Sequence, residues 1–122
     1  MARILVVDDD TAVRTFVRRA LAHRGHETAA AGDGAEALAL IQGDPAFDLV
    51  VSDIVMPALD GIELVATLAE QRPALPVILM TAHADQARLA TARPREVILK
   101  PFSLKDICTV VARNLESDPP PG

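Results

Sequence analysis

Five polar side chains follow short apolar runs of the sequence, and their types suit phosphoryl transfer. Three are the acids Asp8, Asp9 and Asp53, and the other two are Thr81 and Lys100. A carboxylate can attack phosphorus as a nucleophile, and the rest of the reaction requires positioning and neutralisation of charge on the equatorial oxygens. A hydroxyl and an ammonium group could each bind one of those oxygens. The set therefore predicts chemistry at phosphorus if the fold brings these residues together.

Three carboxylates gathered at one site need a counter-charge. At about 5 Å and an effective dielectric constant of about 20, each pair would repel by roughly 3 kcal/mol. Lys100 supplies one positive charge, and a divalent cation would supply two more. Oxygen ligands favour Mg²⁺, which keeps several waters and accepts phosphate oxygens, and no Cys or His cluster suggests zinc. We therefore expect a magnesium site.

Each of these residues also has an ordinary structural explanation. Residues 8–10 could be a solvated acidic turn, and Asp53 could be a helix cap. Thr81 could be a strand-end hydroxyl, and Lys100 a surface charge. Any one of these explanations would prevail if its residue stood alone. Their joint occurrence at successive strand ends favours the functional interpretation.

The apolar residues predict alternating strands and helices. Short aliphatic runs indicate buried parallel strands, which we place at residues 4–7, 28–31, 49–52, 77–80 and 97–99. Apolar residues at helical spacing follow each run. Five such units with right-handed crossovers predict a doubly wound α/β fold, with a parallel sheet covered on both faces. Such sheets bind ligands beyond the carboxyl ends of their strands, where the five polar residues lie.

Capping signals set the expected helix ends. Thr11 is expected to cap the first helix, with Gly25 just beyond its C-terminus. Ser103 and Asp106 resemble a capping box before the last helix. A short helix is expected around residues 86–91. The chain is expected to comprise one domain at residues 1–116 and a disordered proline-rich tail at residues 117–122.

The composition disfavours several classes of partner. A net charge of −5 argues against non-specific binding to DNA or anionic membranes, because phosphate contacts need clustered Lys and Arg. Arg14, Arg18 and Arg19 are close together, and a solvated helix face is the favoured interpretation over a basic patch. No apolar run has the length of a membrane span and no signal peptide is recognisable, so we expect a cytoplasmic protein. Cys108 is expected to be an inert core thiol.

Four motifs resemble those of receiver domains of two-component response regulators, including stand-alone ones similar to the chemotaxis regulator. They are Ile-Leu-Val-Val-Asp-Asp-Asp at residues 4–10, Ser-Asp-Ile-Val-Met-Pro at 52–57 with Asp60 and Gly61 following, Met-Thr-Ala at 80–82, and Lys-Pro-Phe at 100–102. They cover nearly the whole chain in the family's order. The resemblance implies a flavodoxin-like (βα)5 fold with strand order 2-1-3-4-5.

The resemblance also implies a role for each site residue. Asp53 would be the phosphoacceptor, Asp9 would bind Mg²⁺ directly, and Asp8 would bind it through water. Val55 would contribute its backbone carbonyl to the metal, and the Lys100–Pro101 peptide bond would be cis. The phosphoryl group would come from a sensor histidine kinase or a histidine phosphotransfer protein. The domain would catalyse its own phosphorylation and dephosphorylation rather than act as an enzyme, and would signal to a downstream protein by changing shape.

Two departures from the family pattern keep an alternative open. Val97 stands where many receivers carry the Tyr or Phe of an aromatic switch, and the segment between Thr81 and Lys100 is a few residues short. A phosphate-independent adaptor that binds a partner protein is therefore the second hypothesis. A magnesium-dependent phosphatase is a third, disfavoured because Val55 replaces the acid that would serve as general acid and base.

Overall fold

One parallel sheet organises the computed structural model, which describes residues 2–44, 46–54, 60–82 and 94–116. Its strands are β1 (Arg3–Val7), β2 (Glu27–Ala31), β3 (Leu49–Asp53), β4 (Val77–Thr81) and β5 (Glu96–Leu99). All neighbours pair in parallel, in the order β2-β1-β3-β4-β5. The predicted fold class and strand order are confirmed, and each strand is one residue longer than predicted.

Within the described ranges, four helices pack on the two faces of this sheet. They are α1 (Thr11–His23), α2 (Gly34–Gly43), α3 (Gly61–Gln71) and α4 (Leu104–Glu116). The helix predicted around residues 86–91 and the tail at residues 117–122 lie outside the described residues. None of the described helices is long and apolar enough to cross a lipid bilayer.

The core consists of two aliphatic layers, one on each face of the sheet. Alternate residues of every strand point to opposite faces, so Leu5 and Val7 enter one layer while Ile4 and Val6 enter the other. The first layer packs against α2 and α3, and the second against α1 and α4. Cys108 lies buried in the second layer, as expected. Burial on both faces explains why the strands read as continuous apolar runs.

The start of α1 differs from the prediction. The N-cap is Asp10, whose carboxylate accepts hydrogen bonds from the backbone N–H groups of Ala12 at 2.8 Å and Val13 at 3.4 Å. Thr11 as N-cap is therefore wrong, and Thr11 is the first helical residue. An ionised carboxylate competes well for this position because it both accepts from the unpaired N–H groups and offsets the positive end of the helix dipole.

The other predicted helix ends are confirmed. Ser103 N–H donates to the Asp106 carboxylate at 3.0 Å, and Asp106 N–H donates to Ser103 Oγ at 3.0 Å. This is the reciprocal pair of a capping box. Gly25 lies beyond α1 with φ of 88°, a left-handed conformation that glycine adopts without steric cost.

The beginning of α3 lies against the end of β3. Gly61 N–H donates to the carbonyl of Ile54 at 2.8 Å. A Cβ atom at Gly61 would lie 2.2 Å from the carbonyl oxygen of Asp53 and 2.9 Å from Cα of Ile54. Both atoms belong to the backbone and cannot move aside as a flexible side chain could. The approach of α3 to the end of β3 therefore requires glycine at this position.

We expect Gly61→Ala to destabilise the fold by about 1–3 kcal/mol or more, because the new methyl group overlaps the backbone of β3. Urea unfolding followed by far-ultraviolet circular dichroism measures the change. Gly43→Ala is the matched control, because nothing lies within 4 Å of the added Cβ. It should leave stability unchanged or raise it by up to about 1 kcal/mol. Equal stability of the Gly61→Ala variant and the wild type would contradict the prediction.

Candidate functional site

Three acids converge at the carboxyl edge of the sheet. Val7 of β1 pairs with Ser52 of β3, so Asp8 and Asp53, the next residues, are neighbours. One carboxylate oxygen from each of Asp8, Asp9 and Asp53 lies within 4.8 Å of the other two. Asp8 is fully buried, Asp53 partly buried and Asp9 exposed. The cluster therefore opens to solvent on the side of Asp9.

Lys100 enters the same cluster from the end of β5. Its ammonium nitrogen lies 3.1 Å from Oδ2 of Asp8 and 3.5 Å from Oδ1 of Asp53. Lys100 N–H donates to the carbonyl of Thr81 at 2.7 Å, which ties the ends of β4 and β5 together. The Lys100–Pro101 peptide bond is cis, as the resemblance implies. A buried carboxylate requires such a partner because an unpaired charge is costly away from water.

Thr81 completes the predicted convergence. It is the last residue of β4 and is 4% exposed. Asp53 pairs with Met80, so Thr81 lies one position beyond Asp53 on the neighbouring strand. On its other side Thr81 pairs with Leu99, which precedes Lys100. The sheet register thus places the five predicted side chains at one edge.

The surroundings of Asp53 favour its protonated form and raise its pKa. Burial, followed by the negative charge of Asp8, raises the pKa of Asp53, although Lys100 and a hydrogen bond of 2.8 Å from Ile54 N–H act in the opposite direction. Burial acts to lower the pKa of Lys100, but the hydrogen bond to Asp8 and the charges of Asp53 and Asp8 raise it overall. Lys100 is therefore held in its charged form. Its charge and the Ile54 hydrogen bond do not fully offset the effect of burial and of Asp8 on the pKa of Asp53.

The donor atoms suit Mg²⁺. They are carboxylate oxygens, the hard ligands that this ion prefers, and the exposed position of Asp9 leaves room for water and a phosphoryl oxygen. Among the residues that the structure describes, no other group of three or more acidic, His or Cys side chains is close enough to hold a metal. Val55, the fourth predicted ligand, lies outside the described residues.

Asp10 does not belong to the acidic cluster. Its side chain caps α1, and its backbone N–H donates to Oδ1 of Asp8 at 2.9 Å. Asp10 is therefore an exposed helix cap, whereas Asp8 is buried and paired with Lys100.

Arg14 also contacts the site, although the sequence motifs do not predict it. Its guanidinium donates from Nη1 to the backbone carbonyl of Asp8 at 2.6 Å and from Nη2 to Thr11 Oγ1 at 3.0 Å. The expected solvated face holds for the exposed Arg18 and Arg19 but is wrong for Arg14. One sequence signal could have revealed it, because a cation near the start of a helix is disfavoured by the helix dipole and needs another partner.

Val97 occupies the predicted position on β5. It is partly buried and packs against the apolar layer beneath α2 and α3. The position where many receivers carry an aromatic ring is thus filled here by a small aliphatic side chain that contributes to the core.

Known proteins are similar in sequence to this chain over nearly its whole length. Residues 4–112 match the family model of the response regulator receiver domain. The chain is 40% identical to the DNA-binding transcriptional regulator NtrC of Azospirillum brasilense, covering 98% of this chain and 25% of that protein. It therefore spans about a quarter of the length of this relative.

Solved structures share the fold. A receiver domain protein (CheY-like) from Methanospirillum hungatei superposes with a TM-score of 0.89 at 30% identity, covering 95% of this chain and 94% of that one. The receiver domain of NtrX from Brucella abortus superposes with a TM-score of 0.86 at 36% identity, covering 94% and 99%. The motifs, the strand order, the acidic edge and the family match agree, and this chain belongs to the response regulator receiver domain family.

Proposed function

We propose that this receiver domain accepts a phosphoryl group on Asp53 in a Mg²⁺-dependent reaction and signals through the resulting change in shape. The observation that carries the proposal is the convergence of Asp8, Asp9, Asp53 and Lys100 at the carboxyl edge of the sheet. Family membership supports it, because this edge carries the family's motifs.

Asp53 is proposed as the nucleophile. A carboxylate oxygen of Asp53 forms a bond to phosphorus, while the bond from phosphorus to the donor's imidazole nitrogen breaks and the electron pair leaves with that nitrogen. Hydrogen bonding of Oδ1 to Ile54 N–H at 2.8 Å and its ion pair with Lys100 at 3.5 Å restrict the orientation of the carboxyl group. Restricted orientation favours attack along one direction.

The neighbouring side chains are proposed to neutralise and orient the transferred group. Lys100, kept protonated by its acidic neighbours, would bind one phosphoryl oxygen, and the hydroxyl of Thr81 would donate to another. Asp8, Asp9 and Asp53 would hold Mg²⁺ together with the carbonyl of Val55. When bound, Mg²⁺ would supply neutralising charge to the acids and to the phosphoryl oxygens. After transfer, Asp53 is part of an aspartyl phosphate that the same residues would help water to hydrolyse.

A sensor histidine kinase or a histidine phosphotransfer protein is the proposed donor, and another protein the proposed target. The net charge of −5 does not favour direct contact with nucleic acid. A phosphate-independent adaptor remains the second candidate, because Val97 lacks the ring of an aromatic switch and instead packs against the core. The two candidates differ in whether Asp53 takes up phosphate.

Incubation with acetyl phosphate and Mg²⁺ should add one phosphoryl group to the wild type, and intact-protein mass spectrometry detects it. Asp53→Asn should take up none, because the nucleophilic oxygen is replaced by an amide. Chelation of Mg²⁺ with EDTA should also prevent uptake. Asp48→Asn is the matched control, because this exposed acid precedes β3 at the opposite edge of the sheet, and it should react like the wild type.

Equal mass increases in the wild type and Asp53→Asn would contradict Asp53 as the acceptor. No increase in the wild type, together with equal partner binding by wild type and Asp53→Ala, would instead favour the adaptor.

Replacing Asp53 by Asn should stabilise the protein in EDTA at neutral pH. The pKa of Asp53 in the fold lies above its ordinary value of 3.8, so the folded state binds this proton more tightly than the unfolded state. Ionisation of Asp53 therefore destabilises the fold, an effect absent below pH 3.8 and complete above the raised pKa. Thermal unfolding should show a higher midpoint for the variant at neutral pH.

That difference in midpoint should shrink as the pH falls toward the ordinary pKa of an aspartate. Added Mg²⁺ should also reduce it, because the cation stabilises the wild type more than the variant. The difference in midpoint between Asp48→Asn and the wild type should not depend on Mg²⁺. A difference for Asp53→Asn that widens on acidification would contradict the assignment.

A further inference from the structure

Arg14 contacts the backbone of the acidic site rather than its carboxylates. Its guanidinium donates to the Asp8 carbonyl at 2.6 Å and to Thr11 Oγ1 at 3.0 Å. Hydrogen bonds from a charged donor are shorter and stronger than those between neutral groups. The guanidinium therefore spans the turn between the end of β1 and the start of α1.

The Asp8 carbonyl belongs to the peptide that joins the two acids. Asp8 N–H still donates to Ala31 of β2 at 3.2 Å, whereas β1 itself ends at Val7. Beyond this point the chain leaves the sheet, and the Asp8 carbonyl is held by Arg14. Because the peptide plane includes the Cα atoms of Asp8 and Asp9, its orientation constrains the positions from which both side chains project.

The neighbouring loop restricts the guanidinium. A Cβ at Gly32 would lie 3.4 Å from Nη1 of Arg14 and 3.8 Å from Oε2 of Glu36. Gly32 N–H donates to that same Glu36 oxygen at 3.2 Å. The absence of a side chain at Gly32 leaves space that the guanidinium approaches closely. Arg14 is thus partly buried and packs against this loop.

The location of Arg14 is unfavourable in the absence of such contacts. The first turn of α1 contains no acidic residue, and a cation near this end faces the positive end of the helix dipole. The bond to the Asp8 carbonyl compensates for this cost.

We propose that Arg14 is a positioning residue for the phosphoacceptor site, which fixes the Asp8–Asp9 peptide so that both carboxylates converge with Asp53 on one cation. This inference rests on the proposed function. Arg14 acts through the backbone and does not touch the transferred group. Outer groups that orient metal ligands typically change metal affinity about 10–100-fold when they are replaced.

Geometry and charge have opposite consequences when Arg14 is replaced. Loss of positioning weakens Mg²⁺ binding, whereas loss of a nearby positive charge strengthens it. Arg14→Lys keeps the charge and loses the two-pronged donor, since an ammonium group is a point charge on a flexible stem. Arg14→Met keeps an apolar stem but loses both the positive charge and the hydrogen-bond donors. The pair of variants therefore separates the two effects.

Calorimetric titration with Mg²⁺ tests the proposal. Both Arg14→Lys and Arg14→Met should bind Mg²⁺ about tenfold or more weakly than the wild type. Arg18→Met is the matched control, because Arg18 lies one turn further along α1, is exposed and donates to Thr28 Oγ1 at 3.2 Å. It should bind Mg²⁺ like the wild type. Thermal unfolding in EDTA identifies which variants are folded. If Arg14→Met does not fold, Arg14→Lys alone tests the proposal.

A second readout separates positioning from a general structural role. Phosphorylation by acetyl phosphate should require more Mg²⁺ for half-maximal rate in Arg14→Lys, and its rate should approach that of the wild type at saturating Mg²⁺. If the wild type binds Mg²⁺ and reacts, unchanged Mg²⁺ affinity in Arg14→Lys would overturn the positioning role. Tighter binding by Arg14→Met in the same experiment would show that Arg14 acts only through its charge. Failure of the wild type itself to bind Mg²⁺ would overturn the proposed function as well.

Discussion

Lys100 shares its ammonium group between a fully buried acid and a partly buried one, at 3.1 Å from Asp8 and 3.5 Å from Asp53. Taking these charges out of water is costly, and their mutual attraction offsets the cost only when the geometry is good. The compensation is incomplete, because burial and Asp8 still raise the pKa of Asp53. Three acids gathered at one edge are the ligands that a divalent cation prefers, and the chemistry proposed for Asp53 depends on such a cation.

The sheet makes this arrangement possible. Parallel pairing of β1 with β3 places Asp8 and Asp53 side by side, and the two apolar layers hold the strands in that register. A shift of β1 by one residue would exchange the layers that its side chains enter and would displace Asp8 from Asp53. Close packing at Gly61 secures the end of β3, and Arg14 secures the end of β1. The site is therefore supported from both sides by the same scaffold that creates it.

Much of this could be predicted because apolar periodicity reports burial, and burial decides where strands and helices form. The strand ends, and with them the edge that carries Asp53, Thr81 and Lys100, followed from that pattern. The strand order came from the family resemblance. The sequence does not distinguish Thr11 from Asp10 as the cap of α1, because neighbouring polar residues compete for a cap and only the three-dimensional turn selects one. The role of Arg14 is hard to predict for a related reason: its partner is a backbone carbonyl, and local sequence patterns do not identify such partners.

Titration of the wild type and Asp9→Asn with Mg²⁺ by calorimetry tests the central claim most directly. Asp9 is the informative position because it is exposed, so its replacement removes a carboxylate with little disturbance of the core. We expect the wild type to bind one Mg²⁺ with a saturable isotherm and Asp9→Asn to bind much more weakly. No saturable binding by the wild type, or equal binding by both proteins, would contradict the claim that the acids of this site are balanced by a dication.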